Sequence, residues 1–546
     1  MNSAARDPSA DRETVREVHR LASAGDLAGA AAAALAALGA GLEHPLLLNV
    51  AALQLEREGR FEDACRYLRR AIELAPQDIG ALNALGLCLQ SLNRDDEALA
   101  HFDAVIALAP QAAFGHANRG RALLALGRIE EAHGSFHKAL EHESNVAALA
   151  GLAAIATFRG DHSQARQLAE KVLKVEPNYP DAVMSIAAAD LAAEQPQEAA
   201  RGLRELLADR RVAPVDRAHA LSMLGDVLDA QHRYAEAFAA YTESNEQLTT
   251  IYSSQYAGGE TALEFTRLLT EQFQNVPPHQ WAPSAPGKRA TGAVRHVFLI
   301  GFPRSGTTLL EAALEGHPAI QSLEEQELMI DSVGAYLGRP EYVHRLAAAG
   351  DSELQGFRDA YWRRVRDAGI DLANRVFVDK YPLNTLKLPL IARLFPDAKI
   401  LLARRDPRDV VLSCFRRRFR MNAPMFQLLS LDGAARFYDA TMRAAEVFQE
   451  RLKLELRVAQ HEMIVGEFRS ELTAICNWIG LDWTDAIRAV DQRSHKRAVV
   501  TPSTAQLLRG VDSATVGQWR HYAPQLASVL PILEPWVRKF GYDSRP

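Results

Sequence analysis

Cysteine is scarce in this chain of 546 residues, and its four cysteines are scattered. They are Cys65, Cys88, Cys414 and Cys476, and no two of them form a C-x-x-C pair. Zinc ribbons need closely paired cysteines, and disulfide frameworks are typical of short, cysteine-rich secreted chains. The sequence therefore argues against both classes and predicts reduced, buried thiols.

A long apolar run is also missing. The first residues, MNSAARDPSADRE, are polar and acidic, and the alanine-rich stretch 29–40 is too short and too weakly apolar to cross a bilayer. We therefore expect a cytoplasmic protein that needs neither a membrane nor a nucleic acid as a partner.

Length and charge divide the chain into unlike halves. A chain of 546 residues exceeds what one hydrophobic core usually supports, so we expect two or more domains. The net charge of −6 hides an asymmetry: residues 295–546 hold 35 Lys and Arg against 30 Asp and Glu, whereas residues 1–294 hold 27 against 38. The basic C-terminal half suits an anionic ligand.

Small residues recur in the N-terminal half with a period of 34. The first series is Ala52, Gly86, Gly120, Ala154 and Ala188. The second series, about a dozen residues later, is Ala64, Ala98, Ala132, Ala165 and Ala199. Phe102 and Phe136 keep the same period, and Pro76, Pro110 and Pro177 stand where second helices would end. The pattern resembles the tetratricopeptide repeat, in which stacked helix pairs form an α-solenoid that commonly binds peptides or proteins.

The repeat pattern and the linker composition predict the domain boundaries. A polar tail covers residues 1–13, the repeat array 14–248, a helical segment and linker 249–294, and a second domain 295–546. Within the third segment, 261–273 has a helical pattern, and the prolines and glycines that follow it are typical of a linker.

Residues 297–318, VFLIGFPRSGTTLLEAALEGHP, have the layout of a phosphate-binding loop. An apolar strand precedes a turn bounded by Gly301 and Gly306, and Thr307 with Thr308 opens a helix whose free amides attract anions. An ATP-cleaving loop would carry lysine where Thr307 stands. Arg304 supplies the positive charge instead.

Three further strand-like runs, at 376–379, 400–403 and 456–459, predict an α/β domain with a mainly parallel sheet. Ligands bind at the carboxyl ends of such strands. Two more motifs stand at those ends: DKYP, from Asp379 to Pro382, and the segment RRDPR that runs on to Ser413.

Together these motifs resemble the sulfotransferase family over about residues 295–530, most closely the protein-tyrosine sulfotransferases and bacterial enzymes that join tetratricopeptide repeats to such a domain. The resemblance implies 3′-phosphoadenylyl sulfate as the sulfuryl donor and no required metal. It assigns the donor's 5′-phosphosulfate to Pro303, Arg304, Ser305, Gly306, Thr307, Thr308 and Leu309. It assigns the 3′-phosphate to Arg405 and Ser413, and a further nucleotide contact to Arg509.

The same resemblance implies three catalytic roles. Glu325, eight residues after His317, would be the general base, and the adjacent Glu324 is either an alternative base or a carboxylate at a helix start. Lys380 would stabilise negative charge in the transition state. Arg304 would grip the moving group.

Other interpretations of these residues stay open. Asp379 could be the magnesium ligand of an ATPase, and Arg405 could form only an ion pair with Asp406 or Asp409. The basic run 416–420 is either a solvated helix face or an anion-binding surface. Trp519 and Tyr522 favour core packing over ligand stacking.

We therefore expect a sulfotransferase whose acceptor is a tyrosine of a protein or peptide bound by the repeats. Glu327 and Asp331 stand where animal tyrosine sulfotransferases tend to carry arginines, which argues against a preference for acidic peptides. The alternatives are a sulfotransferase for a saccharide or small molecule, and a non-catalytic tetratricopeptide scaffold with a nucleotide-sensing domain. A homodimer stays open.

Overall fold

The computed structural model describes residues 8–281, 295–488 and 515–543. The chain forms two compact units, residues 1–189 and residues 190–546. The second unit contains the last repeat helices as well as the sheet, so the compact units divide the chain earlier than the expected start of the second domain at residue 295.

The first unit is built from antiparallel helix pairs. Its helices are α1 Pro8–Ser23, α2 Leu27–Gly39, α3 Pro45–Arg57, α4 Phe61–Leu74, α5 Ile79–Ser91, α6 Asp95–Leu108, α7 Ala113–Ala125, α8 Ile129–His142, α9 Val146–Phe158, α10 His162–Val175 and α11 Pro180–Ala192, which crosses into the second unit.

The period of small residues arises from close helix packing. A Cβ atom added to Gly86 would lie 2.5 Å from the ring of Phe102, and one added to Gly120 would lie 2.6 Å from the ring of Phe136. Each aromatic ring thus fills the space that a side chain on the preceding helix would occupy. These contacts confirm the predicted helix–turn–helix repeat.

The second unit begins with helices α12 Pro196–Ala208, α13 Pro214–Ala230, α14 Tyr234–Tyr256 and α15 Ala262–Asn275. Gly225 on α13 approaches the ring of Tyr241 on α14 as closely as the glycines of the earlier repeats approach phenylalanine. Helix α15 begins with a capping box between Thr261 and Glu264, and its Phe273 is buried in the core beside the sheet.

A five-stranded parallel sheet forms the centre of the second unit, which confirms the predicted α/β fold. Its strands are β1 Arg295–Ile300, β2 Ile320–Glu324, β3 Val376–Lys380, β4 Lys399–Arg404 and β5 Glu455–Gln460, in the order β2-β3-β1-β4-β5. The sequence did not predict β2, because its residues, IQSLE, are short and half polar, as suits an edge strand.

Helices cover the sheet and extend beyond it. They are α16 Thr307–Leu314, α17 Ile330–Tyr336, α18 Val343–Ala348, α19 Asp351–Asp367, α20 Leu388–Leu394, α21 Pro407–Arg416, α22 Ala423–Phe426, α23 Leu431–Arg451, α24 His461–Gly466, α25 Phe468–Ile479, α26 Ala523–Leu526 and α27 Leu530–Lys539. Short 3-10 helices lie at Pro278–Trp281, Pro340–Tyr342, Pro382–Lys387, Gln427–Leu429, Asp485–Arg488 and Gln518–Tyr522.

Strand β1 is buried on both faces and fixes where the site lies. Phe298 and Ile300 pack into one core, whereas Val297 and Leu299 pack into another, because successive side chains of a strand point to opposite faces. The strand order reverses about β1, since the chain turns first towards β2 and β3 and then towards β4 and β5. Such a reversal opens a crevice at the carboxyl ends of the strands, where ligands bind.

Candidate active site

The loop between β1 and α16 is held in an unusual backbone conformation. Gly306 has a φ of 94°, and a Cβ atom at this position would lie 2.6 Å from Nδ1 of His461. Glycine is therefore required both by the backbone and by the close approach of the imidazole. Arg304 also has a positive φ, 70°, a costly conformation for a residue with a side chain.

Arg304, Arg405 and Ser413 come together although the last two follow a different strand. Arg304 donates from Nε to Oγ of Ser413 at 2.9 Å, and Arg405 donates from Nη1 to the carbonyl oxygen of Arg304 at 3.4 Å. Arg405 also donates from Nη2 to the carbonyl oxygen of Thr515. The crevice between β1 and β4 thus brings the two predicted phosphate-binding motifs into contact.

This part of the site has positive charge and buried polar atoms that an anion would complement. Burial, followed by the charges of Arg417 and Arg405, lowers the pKa of Arg304 to about 9, so its guanidinium is still charged at neutral pH. Within the described part of the chain, Nε of Arg405 and both ring nitrogens of His461 are buried without a hydrogen-bond partner. Burial, with the charges of Arg405 and Arg304, lowers the pKa of His461 to about 3, so its neutral ring carries one N–H donor. A phosphate or sulfate group would accept hydrogen bonds from that N–H and from Nε of Arg405, and these residues therefore fit an anionic donor.

The acidic neighbours of Arg405 have mostly other partners. Asp406 caps α21 and pairs with Arg408 at 2.7 Å, while Asp409 lies 3.8 Å from Nη2 of Arg405. Asp409 also accepts hydrogen bonds from the amides of Gly517 and Trp519, at 2.6 and 2.9 Å. The ion pair of Arg405 with Asp409 is thus present, but it leaves Nε of Arg405 directed to no protein acceptor among the described residues.

Lys380, at the end of β3, is fully buried among three carboxylates. Its Nζ donates to Oε1 of Glu324 and to Oε1 of Glu325, both at 2.8 Å, and Oε2 of Glu311 lies 3.6 Å away. Burial acts to lower the pKa of Lys380, but the three carboxylates outweigh it and the pKa is raised. Lys380 is therefore an ammonium ion over the whole physiological pH range.

The three carboxylates differ in access to solvent. The side chains of Glu311 and Glu324 are 1% and 8% exposed, whereas that of Glu325 is 37% exposed. Of the three, Glu325 is the carboxylate that an acceptor can reach. Its φ of 49° marks a strained backbone, and its N–H donates a hydrogen bond to the carbonyl oxygen of Lys380 at 2.8 Å, which holds it there. Glu324 ends β2, so its interpretation as a helix-start carboxylate was wrong.

Asp379 lies on the other face of β3 from Lys380. Its carboxylate accepts a hydrogen bond from the hydroxyl of Tyr361 at 2.8 Å, and Asn384 approaches at 3.4 Å. Burial raises the pKa of Asp379 to about 7. A carboxylate enclosed by an aromatic core does not suit the magnesium ligand of an ATPase.

The remaining predicted residues line the loop or lie beyond the described chain. Thr307 and Thr308 are buried at the start of α16, Ser305 is buried, and Leu309 is half-buried. The carbonyl oxygen of Pro303 accepts a hydrogen bond from the thiol of Cys414 at 3.4 Å. Arg509 lies outside the described residues. Trp519 and Tyr522 are buried in the core, as predicted.

Three residues at this site were not selected from the sequence: Glu311, Arg417 and His461. Glu311 lies one helical turn after Thr307, so the spacing along α16 could have revealed it. Arg417 stood within a basic run that was left undecided. His461 directly follows β5, and its place at a strand's carboxyl end was the available signal.

Comparison with known proteins places these motifs in a family. The family model described as the sulfotransferase family matches residues 296–485, and tetratricopeptide repeat models match residues 15–79, 77–144 and 118–183. The chain carries a sulfotransferase-family domain and tetratricopeptide repeats. The sulfotransferase-family match thus covers the loop from Gly301 to Gly306, Glu325, Lys380 and Arg405.

The relatives that this chain matches are distant. An uncharacterized protein of Aquifex aeolicus (strain VF5) is 23% identical over 405 residues, which are 72% of this chain and 51% of that protein. Protein-tyrosine sulfotransferase 2 of Gallus gallus is 25% identical over 269 residues, 45% of this chain and 69% of the relative. The chain thus spans about half the length of the first relative.

A solved structure, the sulfotransferase domain of the Synechococcus PCC 7002 olefin synthase, is 22% identical, with a TM-score of 0.35 over 48% of this chain and all of that one. In the described ranges no group of three or more His, Cys, Asp or Glu side chains is arranged to hold a metal ion. No helix of residues 8–281, 295–488 or 515–543 combines the length and the apolar character that a membrane span needs.

Proposed function

We propose that this protein transfers the sulfuryl group of 3′-phosphoadenylyl sulfate to a hydroxyl group, and that the acceptor is a tyrosine of a protein or peptide. One observation carries the proposal. The loop that carries Arg304, with Arg405 against it, and the pair of Lys380 with the exposed Glu325 lie at the same edge of one parallel sheet. This is the equipment that group transfer from a phosphorylated donor requires.

The donor's two anionic ends match two groups of residues. Arg304, Thr307 and Thr308, with the loop amides, would hold the 5′-phosphosulfate, since they surround the start of α16. Arg405 and Ser413 would hold the 3′-phosphate. When bound, the donor supplies an activated sulfuryl group attached to a phosphate oxygen.

The chain's own residues then divide the chemistry. Glu325 would accept the proton of the acceptor hydroxyl at its carboxylate, because it is the exposed member of the cluster. Lys380 would place its ammonium beside the phosphate oxygen that gains negative charge as the sulfur–oxygen bond breaks. Glu324 and Glu311 stay as partners of Lys380 when Glu325 turns to the acceptor, so the ammonium keeps its position.

The acceptor part of the proposal is supported by relatives and by the repeats. Several distant relatives are protein-tyrosine sulfotransferases, and tetratricopeptide arrays present surfaces suited to peptides. Near the base, Glu327 pairs with Lys387 and Asp331 pairs with Arg364, both at 2.7 Å. An acidic acceptor gains little from a surface whose cations are already paired, so we expect a neutral or mixed-charge peptide.

Calorimetric titration with 3′-phosphoadenosine 5′-phosphate, beside ATP with magnesium, tests the donor. We expect the first nucleotide to bind, and we expect Arg405→Ala to weaken it about tenfold to hundredfold, since a charge-assisted hydrogen bond contributes roughly 1.5–3 kcal/mol. Arg436→Ala, which removes an exposed arginine paired with Asp432, is the matched control. If the protein binds ATP with magnesium but does not bind 3′-phosphoadenosine 5′-phosphate, the proposal is overturned.

A transfer assay tests the acceptor. Tyrosine peptides, the corresponding phenylalanine peptides and simple saccharides are incubated with the full chain and labelled donor. Label on the tyrosine peptides alone supports the proposed acceptor. Label on the saccharides alone would leave a sulfotransferase and contradict the tyrosine assignment.

A further inference from the structure

The last repeat helices hold the arginines at the end of α21, the helix that carries Ser413. Asp229 of α13 lies 2.7 Å from Nη2 of Arg416, and Asp226 of α13 lies 2.9 Å from Nη1 of Arg417. Both aspartates thus face the carboxyl end of a helix whose first turn begins beside Arg405.

Helix α14 contacts the same end of α21. Asn245 donates from Nδ2 to the carbonyl oxygen of Phe415 at 2.9 Å, and this bond is buried. The ring of Phe238 stacks on the ring of Phe415 with centroids 5.2 Å apart. The contact is therefore apolar as well as charged, and it satisfies a carbonyl group at the helix end.

The two aspartates are themselves held by tyrosines. Tyr241 donates to Oδ1 of Asp226 at 2.8 Å, and Tyr522 donates to Asp229. The side chain of Arg416 is 6% exposed and lies about as far from one tyrosine ring as from the other, at 5.3 and 5.2 Å. A buried guanidinium needs such fixed partners, so this network has one preferred arrangement.

Arg417 connects this network to the site. It directly follows the last residue of α21, the helix on which Ser413 accepts the hydrogen bond of Arg304, and its own backbone is extended. Its charge also reaches Arg304: after burial, Arg417 is the largest influence that lowers the pKa of Arg304. Asp226 therefore holds Arg417, a cation whose charge acts on Arg304 in the proposed donor site.

We propose that Asp226 is a positioning residue of the donor site: it holds Arg417 at the end of α21, so the last repeat pair helps to set the affinity for the donor's 3′-phosphate. This inference rests on the proposed function. It makes the pair α13–α14 part of the enzyme's binding machinery rather than only part of a partner-binding array. Donor binding and the packing of α13 against α21 are then coupled, and each strengthens the other.

The test compares two nucleotides that differ in the 3′-phosphate, 3′-phosphoadenosine 5′-phosphate and adenosine 5′-monophosphate, by calorimetry on the full chain. We expect Asp226→Asn to bind 3′-phosphoadenosine 5′-phosphate roughly fivefold to twentyfold more weakly, within the usual range of coupling between sites. Its affinity for adenosine 5′-monophosphate should change less than about twofold. Asp226→Glu should restore part of the difference. Asp103→Asn, which breaks a 2.6 Å ion pair with Arg119 elsewhere in the repeats, is the matched control.

Each outcome decides the inference. An unchanged affinity for 3′-phosphoadenosine 5′-phosphate in Asp226→Asn overturns it and leaves the proposed function intact, and so does an equal loss for both nucleotides. A wild-type chain that does not bind this nucleotide overturns the proposed function and the inference with it. If Asp226→Asn fails to fold, Tyr241→Phe removes one hydrogen bond to Asp226, and an unchanged ratio of the two affinities in that variant overturns the inference.

Discussion

The two charged clusters at the carboxyl edge of the sheet have opposite excess charge: the first is rich in cations and the second in carboxylates. Around the phosphate loop, Arg304 and Arg405 lie close together, and polar atoms of Arg405 and His461 have no protein partner among the described residues. Around Lys380, three carboxylates surround one ammonium. On the proposed function an anion from outside would complete the first cluster, whereas in the second the chain itself supplies the counter-ions of the ammonium, with carboxylates in excess.

Because of this difference, we expect the first cluster to serve donor binding and the second to serve the chemical step. A donor that brings negative charge stabilises the first cluster directly, because its desolvated cations gain counter-charges. In the second cluster the ammonium already has its partners, so on the proposed function the chemical step would have to free Glu325 from Lys380. Substitutions in the second cluster should therefore change the rate, and those in the first should change donor affinity.

The largest expected effect is that of Glu325→Gln. Glutamine keeps the shape but cannot take the acceptor proton, so we expect kcat to fall by about 10²–10⁴ while the affinity for 3′-phosphoadenosine 5′-phosphate stays within about twofold. Steady-state kinetics and calorimetry measure the two quantities. Glu327→Gln, at an exposed carboxylate paired with Lys387, is the control. A variant that keeps wild-type kcat would assign the base elsewhere.

Lys380→Met should lower both kcat and stability. Loss of the ammonium removes charge stabilisation worth about 10²–10³ in kcat. It also leaves Glu311 and Glu324 buried without their counter-ion, and breaking such a buried pair costs about 3–5 kcal/mol of the free energy of unfolding. Urea unfolding measures the second effect, with Lys399→Met as control. A fully active Lys380→Met variant would contradict the assignment of the chemical step to the cluster around Lys380.

The smallest effect concerns the opposite face of β3, where burial raises the pKa of Asp379 to about 7. The folded state then keeps a proton that the unfolded state releases, so this contribution to stability is present at low pH and is lost as pH rises through about 7. We expect the free energy of unfolding to fall less steeply between about pH 5 and pH 8 in Asp379→Asn than in the wild type. Urea unfolding at both pH values measures this slope. The exposed Asp397→Asn variant should keep the wild-type slope, and parallel slopes in Asp379→Asn would refute the assignment.

Local patterns predicted much of this molecule. The period that links Gly86 with Gly120 identified the repeats, and the loop from Gly301 to Gly306 predicted a phosphate site, because each signal lies within a short stretch of chain. The parallel sheet followed from continuous apolar strands, of which β1 is the clearest. The roles assigned to the site residues stay predictions.

Other features could not be predicted in this way. Strand β2 has too few apolar residues to show a pattern, and it forms because β3 offers it a parallel edge. Glu324 is drawn to Lys380 only because these two residues pair across β2 and β3. The partner of Arg417 is Asp226, 191 residues earlier in the chain.

Local sequence was enough to predict the repeats, a strand–loop–helix of the phosphate-binding type and the residue types available for catalysis. These depend on backbone geometry and on hydrophobic periodicity, which act between near neighbours. Which charges meet depends on the three-dimensional fold: Glu311, Glu324 and Glu325 meet at Lys380, and Asp226 meets Arg417. Ion pairs form between side chains that the fold brings together, and the separation of two residues along the chain does not predict whether they pair.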